Sequence, residues 1–299
     1  MIIALTGATG RIGRQLLSSL KNNGHEVISI SSSMFSDQSV NFSYEELFLD
    51  KINISVDLFI HLASINSKLK HTQIQDEVKL SRDVLKSLKF LKCTRFIFFS
   101  SCKVYGSRNQ IQSNFNEDNI LDPECAYGKA KRLCEIAIKD FAQKNAIDTL
   151  ILRLPPLIDQ SKNSNVGKLL SYANSNLPLV SFRNVKNKRR SYISFENISI
   201  VMLKICTDLR LINNSTYNLA DSYPLSIGEL LIMYRSRQTR KDSELWILPS
   251  WVFYFLKYLP LIRNLILRIF QNIVIENKKL INDMDVKLLS TKKALERDS

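Results

Sequence analysis

The segment CAYGKAKRLCE, residues 125–135, contains two side chains whose types and spacing could carry out proton transfer. Tyr127 and Lys131 are four residues apart, so they lie on one face if the segment is helical. A phenol has an ordinary pKa of about 10. A neighbouring ammonium group lowers that pKa, which would let Tyr127 act as a general base near neutral pH. An ordinary pair of exposed helix residues is the alternative interpretation.

A serine could hold the reacting oxygen beside this pair. Ser101 ends the apolar run RFIFFSS, residues 95–101, which is typical of a strand buried on both faces. Ligands of open α/β sheets bind at the carboxyl ends of the strands. We therefore expect Ser101 to form a hydrogen bond with the oxygen on which Tyr127 acts. A strand end without any function would have the same sequence.

A glycine-rich turn near the N-terminus is typical of a phosphate-binding site. TGATGRIG places three glycines between a strand pattern and a helical pattern. They would allow a tight turn, the approach of backbone N–H groups to a pyrophosphate, and close helix packing. A turn without a ligand is the alternative. The residues expected to contact a dinucleotide are Gly7, Thr9, Gly10, Arg11, Ile12 and Gly13.

The end of the second predicted strand should distinguish NAD from NADP. An acidic residue there would contact the adenosine ribose of NAD, whereas an arginine would bind the 2′-phosphate of NADP. This sequence has Ser31, Ser32 and Ser33, and Asp37 lies a few residues later. Serines leave both cofactors open. Because no cation is nearby, we favour NAD, with Ser31 in contact with it.

Alternating strand and helix patterns in the first half predict a parallel, doubly wound sheet of the Rossmann type. The predicted strands are 2–6, 25–30, 56–64, 95–101 and 148–154. The predicted helices are 11–22, 72–91 and 126–144.

The second half of the chain is more mixed, and residues 225–238 and 245–275 have helical patterns. We predict an α/β protein with an NAD(P)-binding Rossmann domain over residues 1–155. A smaller, mostly helical substrate lobe would follow over residues 156–299, with some elements returning to the sheet.

The formal net charge of +14 predicts an anionic partner, such as a nucleotide, a nucleic acid or a membrane surface. The five cysteines form no C-x-x-C pair and no ligand spacing with the three histidines. We therefore expect neither a disulfide framework nor a metal site, and a reducing cytoplasm as the location. The N-terminus starts as a strand, so no secretory signal is expected.

The apolar segment LWILPSWVFYFLKYLPLIRNLILRIF, residues 245–270, is interrupted by prolines and cations. A membrane-spanning helix needs about 20 mostly apolar residues in a row. We predict short amphipathic helices buried in the C-terminal lobe. Peripheral contact of residues 245–275 with the inner face of a membrane is the alternative.

The motifs TGATGRIG, HLAS, SSCKVYG, YGKAK and RRSYISFEN occur in an order that resembles the extended short-chain dehydrogenases/reductases. This is the NAD-dependent epimerase/dehydratase family, and the resemblance covers residues 1–240. It implies that Ser101 and Tyr127 flank a sugar hydroxyl or ketone. It also implies that Lys131 binds the nicotinamide ribose and, together with the positive charge of the nicotinamide, lowers the pKa of Tyr127, while Leu62 and Ala63 line the cofactor.

Arg190, the last residue of the basic segment RNVKNKRR, residues 183–190, is expected to contact the substrate. Arg190 matches the arginine that contacts the diphosphate in UDP-sugar epimerases, and a guanidinium group suits a diphosphate. Lys103 is the second cation expected to bind substrate. A solvated loop or a nucleic-acid patch is the alternative. Since no nucleic-acid motif accompanies the segment, we expect no nucleic-acid partner.

The segments ILRLPPLI, NKRRSYISFENIS and LPSW resemble the bacterial surface-polysaccharide branch of the family. That branch includes UDP-sugar 4-epimerases and reductases of UDP-4-keto-6-deoxy-N-acetylhexosamines. Galactose-type 4-epimerases carry an asparagine shortly after the arginine that corresponds to Arg153, whereas Pro155 and Pro156 follow here. This departure leaves the sugar open.

The resemblance favours a 4-epimerase of a UDP-hexose or UDP-N-acetylhexosamine, with a homodimer as the assembly. Tyr127 would take the C4 hydroxyl proton while hydride passes to NAD⁺ and later returns to the other face of the 4-keto sugar. The alternatives are an NAD(P)H-dependent reductase of a UDP-4-keto-6-deoxy sugar, a polyprenyl-diphosphate-sugar epimerase at the membrane, and a non-catalytic dinucleotide sensor. Ser101, Tyr127 and Lys131 count against the sensor.

Overall fold

The computed structural model of the chain describes residues 1–32, 41–49, 51, 54–65, 69–106, 114–159, 164–239, 243–260, 263 and 271–297. The strands of these residues are β1 (Ile2–Thr6), β2 (Glu26–Ile30), β3 (Asn41–Phe42), β4 (Leu58–His61), β5 (Arg95–Ser101), β6 (Asn114–Phe115), β7 (Asp148–Leu154), β8 (Leu179–Phe182), β9 (Arg189–Arg190), β10 (Ser215–Asn218), β11 (Leu225–Ser226), β12 (Leu245–Leu248) and β13 (Val274–Ile275). The helices are α1 (Arg11–Asn22), α2 (Tyr44–Phe48), α3 (Ile74–Ser87), α4 (Ala126–Asn145), α5 (Asn165–Ala173), α6 (Phe195–Thr207), α7 (Ile227–Thr239), α8 (Ser250–Tyr258), α9 (Lys278–Met284) and α10 (Thr291–Arg297).

A seven-stranded sheet with the order β10-β7-β5-β4-β1-β2-β3 forms the centre of the molecule. Every neighbouring pair of strands in it is parallel. The strand order reverses between β1 and β4, which is where doubly wound sheets leave a crevice at the carboxyl edge. The predicted Rossmann-type α/β fold is confirmed.

Successive side chains of the inner strands enter two separate cores, because a strand alternates the faces to which its residues point. Ile3 and Leu5 pack with residues of α1, α6 and α9 on one face of the sheet. Ala4 packs on the other face with residues of α2, α3 and α4. Phe96 and Phe98 of β5 belong to this second core as well. The long apolar runs of these strands therefore reflect burial on both faces.

Helix α1 follows from the spacing of its leucines and from the glycine beyond its end. Leu16, Leu17 and Leu20 recur at helical intervals and are buried against the sheet. Gly24 has a φ of 80°, a conformation that glycine adopts without a steric penalty. Helix α1 thus ends at Asn22, and it begins at Arg11, directly after Gly10 of the glycine-rich turn.

The second half of the chain both extends the sheet and forms a smaller core beside it. Strand β10 pairs with β7 and so becomes an edge of the central sheet. Helices α5 and α7 enclose a separate apolar cluster that includes Leu170, Tyr192 and Leu230. The division between domains at residue 155 stays a prediction.

The predicted helix over residues 245–275 is wrong at both ends, because Val274–Ile275 forms strand β13, which pairs with β6. Leu245–Leu248 forms strand β12, which pairs in parallel with β8. A short apolar run fits a strand as well as a helix, and here the hydrogen bonds of β8 decided between them. The helical part begins after Pro249 as α8, and residues 261, 262 and 264–270 lie outside the described residues. None of the helices in the described ranges is both long and apolar enough to cross a membrane.

A buried ionic network fastens α4 to the sheet. Arg153 of β7 donates to both carboxylate oxygens of Glu135, with the shortest distance 2.7 Å, and each side chain is 3% exposed. Arg153 also donates to the Tyr105 hydroxyl, which in turn donates to Asn218 of β10. Ser100 of β5 also donates a hydrogen bond to the Glu135 carboxylate. The network therefore joins α4 to three neighbouring strands at one level of the sheet.

We predict that Arg153→Met lowers the free energy of unfolding by about 3–5 kcal/mol, because it leaves the Glu135 carboxylate buried without its cation. Urea unfolding measures this change. Lys144→Met is the matched control, since it breaks an exposed ion pair with Asp140 on the same helix and should change stability little. Equal losses of stability in the two variants would contradict the conclusion that the buried Arg153–Glu135 pair holds α4 on the sheet.

Candidate active site

The carboxyl ends of β1, β4 and β5 bring the predicted site residues to one edge of the sheet. The glycine-rich turn follows β1, Leu62 and Ala63 follow β4, and Ser101 ends β5. Because these strands are parallel neighbours around the point where the strand order reverses, their ends face the same crevice.

The glycines of the turn are required by close backbone packing. Gly7 has a φ of 74°, and a Cβ there would lie 2.8 Å from the backbone nitrogen of Ala63. A Cβ on Gly13 would collide with the carbonyl oxygen of Gly7. A Cβ on Gly10 would meet that same oxygen at 3.1 Å and no other atom of the described residues within 4 Å. The turn is therefore packed on its inner side and open at Gly10.

The remaining residues predicted to bind the cofactor surround this turn. The Thr9 carbonyl accepts a hydrogen bond from Arg14 at 3.0 Å, and Ile12 packs on the core below. Arg11 forms an ion pair with Asp159. Ser31, 8% exposed, follows β2, and its backbone N–H donates to Phe42 at 3.1 Å. Ser33 and Asp37, on which the choice of NAD or NADP partly depended, lie outside the described residues.

These features fit the pyrophosphate of a dinucleotide. The N-terminus of α1 has no side-chain cap at Gly10 and no acidic residue in its first turn. The first N–H groups of a helix lack intrahelical partners and carry a partial positive charge. With no side chain at Gly10, an anion can approach these groups closely.

Tyr127 and Lys131 lie in the first turns of α4, facing the sheet. Lys131 is 1% exposed, and Tyr127 is half-buried. The Lys131 Nζ lies 5.7 Å from the centre of the Tyr127 ring and 4.6 Å from that of Phe98. The structure thus excludes an ordinary exposed helix pair, the alternative interpretation of these two residues.

Glu77 of α3 completes this pair, and the sequence prediction did not identify it. Its Oε1 lies 3.2 Å from the Lys131 Nζ, and both side chains are 1% exposed. Its other oxygen accepts a hydrogen bond from the Ile65 backbone at 2.8 Å. Glu77 shares the buried helix face of Ser81 and Leu85, and an acidic residue on such a stripe is the signal that could have revealed it.

The pKa of Tyr127 is raised in this structure, the opposite of the predicted direction. Burial raises it most, Lys131 opposes this, and the Glu77 carboxylate adds to the increase. Thus Lys131 alone does not outweigh burial. The prediction also counted the positive charge of a nicotinamide, which the chain itself does not supply.

The Lys131 ammonium stays charged despite its burial. Burial lowers its pKa, but Tyr127, Glu77 and Cys134 raise it, so the net shift is upward. The site therefore holds a fixed positive charge next to a phenol. That arrangement favours the phenolate relative to a site without the lysine.

His61 of the HLAS segment has a structural role beside this charge. Its Nδ1 lies 2.7 Å from the Thr6 hydroxyl, and its Nε2 lies 3.2 Å from that of Ser81. Burial, together with the nearby Lys131, lowers the pKa of His61 to about 3. The imidazole is neutral at physiological pH and links β1, β4 and α3.

A short 3₁₀ turn, Cys102–Val104, follows Ser101 and packs against the start of α4, which carries Tyr127. Ser101 is half-buried, and its hydroxyl accepts a hydrogen bond from the Lys103 backbone at 3.3 Å. The Lys103 Nζ lies 5.0 Å from the centre of the Tyr127 ring. A Cβ on Gly128 would lie 2.5 Å from the Lys103 carbonyl oxygen, so α4 touches this turn directly.

Arg190 approaches the same region from β9. Strand β9 pairs with β11, and Arg190 is half-buried. Burial raises the pKa of the Cys102 thiol to about 11, and the Arg190 and Lys103 charges oppose that increase. Arg190 forms a β-bridge with Ile273, which packs on the same apolar cluster as Cys102, so Arg190 lies near the residue next to Ser101. In the described part of the chain, no group of three His, Cys, Asp or Glu side chains is arranged to hold a metal ion.

We predict that Gly128→Ala destabilises the protein by about 1–3 kcal/mol, because the methyl group meets backbone atoms that cannot move aside cheaply. Thermal unfolding checks this. Gly228→Ala on α7 is the control, since its Cβ would meet only the flexible end of Leu245, and its loss should be smaller. A Gly128 variant as stable as the parent would show that α4 can shift freely.

We predict that Lys131→Met costs about 3–5 kcal/mol of stability, because Glu77 is left buried without its cation. Lys131→Met/Glu77→Gln should recover most of this loss, since the introduced amide carries no charge and its oxygen can still accept from the Ile65 backbone. Urea unfolding of both variants tests the pairing. A double variant no more stable than Lys131→Met would refute it.

Comparison with known proteins identifies relatives of this chain. The NAD-dependent epimerase/dehydratase family model matches residues 3–220. The UDP-glucose 4-epimerase of Vibrio cholerae is 24% identical over 264 residues, covering 83% of this chain and 78% of that protein. The D-erythronate dehydrogenase of Haemophilus influenzae is 25% identical over 177 residues, covering 52% of this chain and 55% of that protein.

A solved structure confirms the fold over the full length. The UDP-N-acetylglucosamine 4-epimerase of Bacillus cereus superposes with a TM-score of 0.79 at 18% identity, covering 99% of this chain and 97% of that one. The family match confirms the resemblance seen in the motifs and the expected use of NAD. The chain belongs to the NAD-dependent epimerase/dehydratase family.

Proposed function

We propose that the protein is an NAD-dependent 4-epimerase of a nucleotide sugar, with a UDP-hexose or UDP-N-acetylhexosamine as substrate. The observation that carries the proposal is the buried Glu77–Lys131 pair beside Tyr127, at the sheet edge that also holds the glycine-rich turn. Similarity to the UDP-glucose 4-epimerase of Vibrio cholerae supports this reaction. A role in surface-polysaccharide synthesis rests on the motif resemblance.

The chain offers a consistent set of residues to hold NAD. The open backbone at Gly10 and the N-terminus of α1 would bind the pyrophosphate. Ser31 would face the adenosine ribose, and Leu62 and Ala63 would line the cofactor. Bound NAD supplies a hydride acceptor that can return the hydride.

Tyr127 would move the proton of the sugar C4 hydroxyl. Its oxygen takes this proton when the hydroxyl is oxidised and returns it when the ketone is reduced on the other face. Burial raises the pKa of Tyr127, so its basic form needs positive charge nearby. Lys131 provides one such charge, and an oxidised nicotinamide would provide another. The Ser101 hydroxyl would bond to the reacting oxygen.

Lys103 and Arg190 would bind the diphosphate of the substrate. Both charges oppose the rise that burial causes in the pKa of the Cys102 thiol, next to Ser101, which supports a position beside the reacting region. A guanidinium group and an ammonium group together suit two phosphate groups. The homodimer expected from the resemblance stays a prediction.

A reductase of a 4-keto sugar is the second candidate. The similarity to a dehydrogenase over about half of the chain favours it. The same Tyr127 would then donate its proton once, and the cofactor would exchange with solution in every cycle. The two reactions therefore differ in cofactor retention.

The deciding experiment incubates the protein with a panel of UDP-hexoses and 4-keto sugars, in the presence of either NAD or NADPH, and identifies the products by NMR. We expect interconversion of C4 epimers, and cofactor that remains bound through purification. Consumption of free NADPH with a 4-keto sugar would instead establish the reductase. A product set without any change at C4 would overturn both reactions.

We predict that Tyr127→Phe lowers turnover by about 10²–10⁴-fold or more, because no group replaces the phenol as acid and base. Binding of NAD, measured by titration calorimetry, should change little. Tyr172→Phe is the matched control, since Tyr172 lies on α5 and its hydroxyl donates to the Pro178 carbonyl at 2.6 Å, outside the proposed site. Full activity of Tyr127→Phe would refute the mechanism.

A further inference from the structure

Strand β12 and helix α8 carry a concentration of exposed aromatic side chains. We define the aromatic patch as Trp246, Trp251, Tyr254, Phe255 and Tyr258, which are 60%, 69%, 51%, 61% and 82% exposed. Of the fourteen large hydrophobic side chains exposed in the described residues, seven lie within residues 246–259. Exposed apolar residues are normally scattered, so such a cluster marks an interaction surface.

Four members of the patch form one face of α8. Trp251, Tyr254, Phe255 and Tyr258 follow the spacing i, i+3, i+4, i+7, which places them on one side of a helix. On another side, Phe253 is 7% exposed and packs against Phe182, with ring centres 5.5 Å apart. The helix is thus apolar both where it meets the protein and where it meets solvent. A surface helix facing only water would be polar on its outer side.

The charges around the patch are cationic. Residues 245–260 contain no aspartate or glutamate, and Lys257 lies within α8. The neighbouring loop, residues 183–188, also contains no acidic residue and exposes Arg183, Lys186 and Lys188. The Arg183 backbone donates to the Leu248 carbonyl at 3.0 Å, so this loop lies next to the start of α8. Glu244, just before β12, is the acidic residue nearest along the chain.

We propose that the aromatic patch binds the surface of an anionic lipid bilayer, with α8 lying in the plane of the interface. Tryptophan and tyrosine prefer the headgroup level of membranes, where an apolar ring can be buried while its polar group stays hydrated. Helices with an apolar face and flanking cations bind this region peripherally. The cations around the patch match the negative potential of such a surface.

A second copy of the chain is a poorer match for the patch. Two such faces would bring cation against cation in a protein whose net charge is already +14. The patch residues take no part in the active site described above. The membrane proposal therefore stands or falls independently of the catalytic one.

The two tryptophans of the chain both belong to the patch, so their fluorescence reports on it alone. The purified full chain is mixed with vesicles of phosphatidylcholine containing phosphatidylglycerol. We expect a blue shift of the emission as the indoles leave water, and co-sedimentation of the protein with the vesicles. Phosphatidylcholine alone, or added salt, should weaken binding because the cationic contribution is lost or screened.

Variants connect this binding to the patch. Trp251→Ser/Tyr258→Ser should lower the vesicle partition coefficient by about tenfold or more, because two rings no longer enter the interface. Ile120→Ser is the matched control, since Ile120 is 87% exposed and lies outside the patch. Circular dichroism verifies that each variant is folded, which the exposure of the replaced side chains favours.

A charge variant tests the cationic part. Lys186→Gln/Lys188→Gln should weaken binding to the anionic vesicles. Lys86→Gln/Lys89→Gln is the control and should not weaken it, since Lys86 lies on α3 and Lys89 just after its end, outside the patch and its neighbouring loop. An unshifted tryptophan emission with anionic vesicles would overturn the proposal. Vesicle binding by Trp251→Ser/Tyr258→Ser that equals binding by the parent protein would overturn it as well. If the patch variant instead only changed the oligomeric state in sedimentation velocity, the surface would be an interface between copies and the membrane proposal would be wrong.

Discussion

Two buried ion pairs fix the position of α4, and the proposed chemistry depends on that helix. Lys131 pairs with Glu77 of α3, and Glu135 pairs with Arg153 of β7. Because residues 131 and 135 are four apart, both pairs act on one helix face, on which Tyr127 also lies. A buried charge that loses its partner is costly, so α4 cannot rotate or slide without breaking these contacts.

The same pairs set the electrostatics of the phenol. Lys131 brings a positive charge to Tyr127, while Glu77 keeps that lysine charged in an apolar surrounding. The carboxylate also limits how far the lysine can lower the pKa of the tyrosine. The protein by itself therefore keeps Tyr127 protonated. Such a site would gain its base only when a further positive charge is bound, which would couple proton transfer to the oxidised cofactor.

Much of the fold was predictable because its signals are local. The apolar runs of β1, β5 and β7 and the leucine spacing of α1 predicted those elements with their observed bounds. The run LWIL was ambiguous, since four apolar residues fit either a strand or a helix. Only the free edge of β8 made it strand β12. The outward direction of the aromatic face of α8 likewise depends on which side packs against Phe182.

The sequence by itself determined the glycine-rich turn, the parallel sheet and the spacing of Tyr127 and Lys131, because each follows from neighbouring residues and simple periodicity. The tertiary structure decided that Glu77 meets Lys131 and that Gly128 must lack a side chain against Lys103. It also decided that burial raises the pKa of Tyr127. These facts arise from contacts between elements far apart in the chain and from the exclusion of water, which no local pattern encodes.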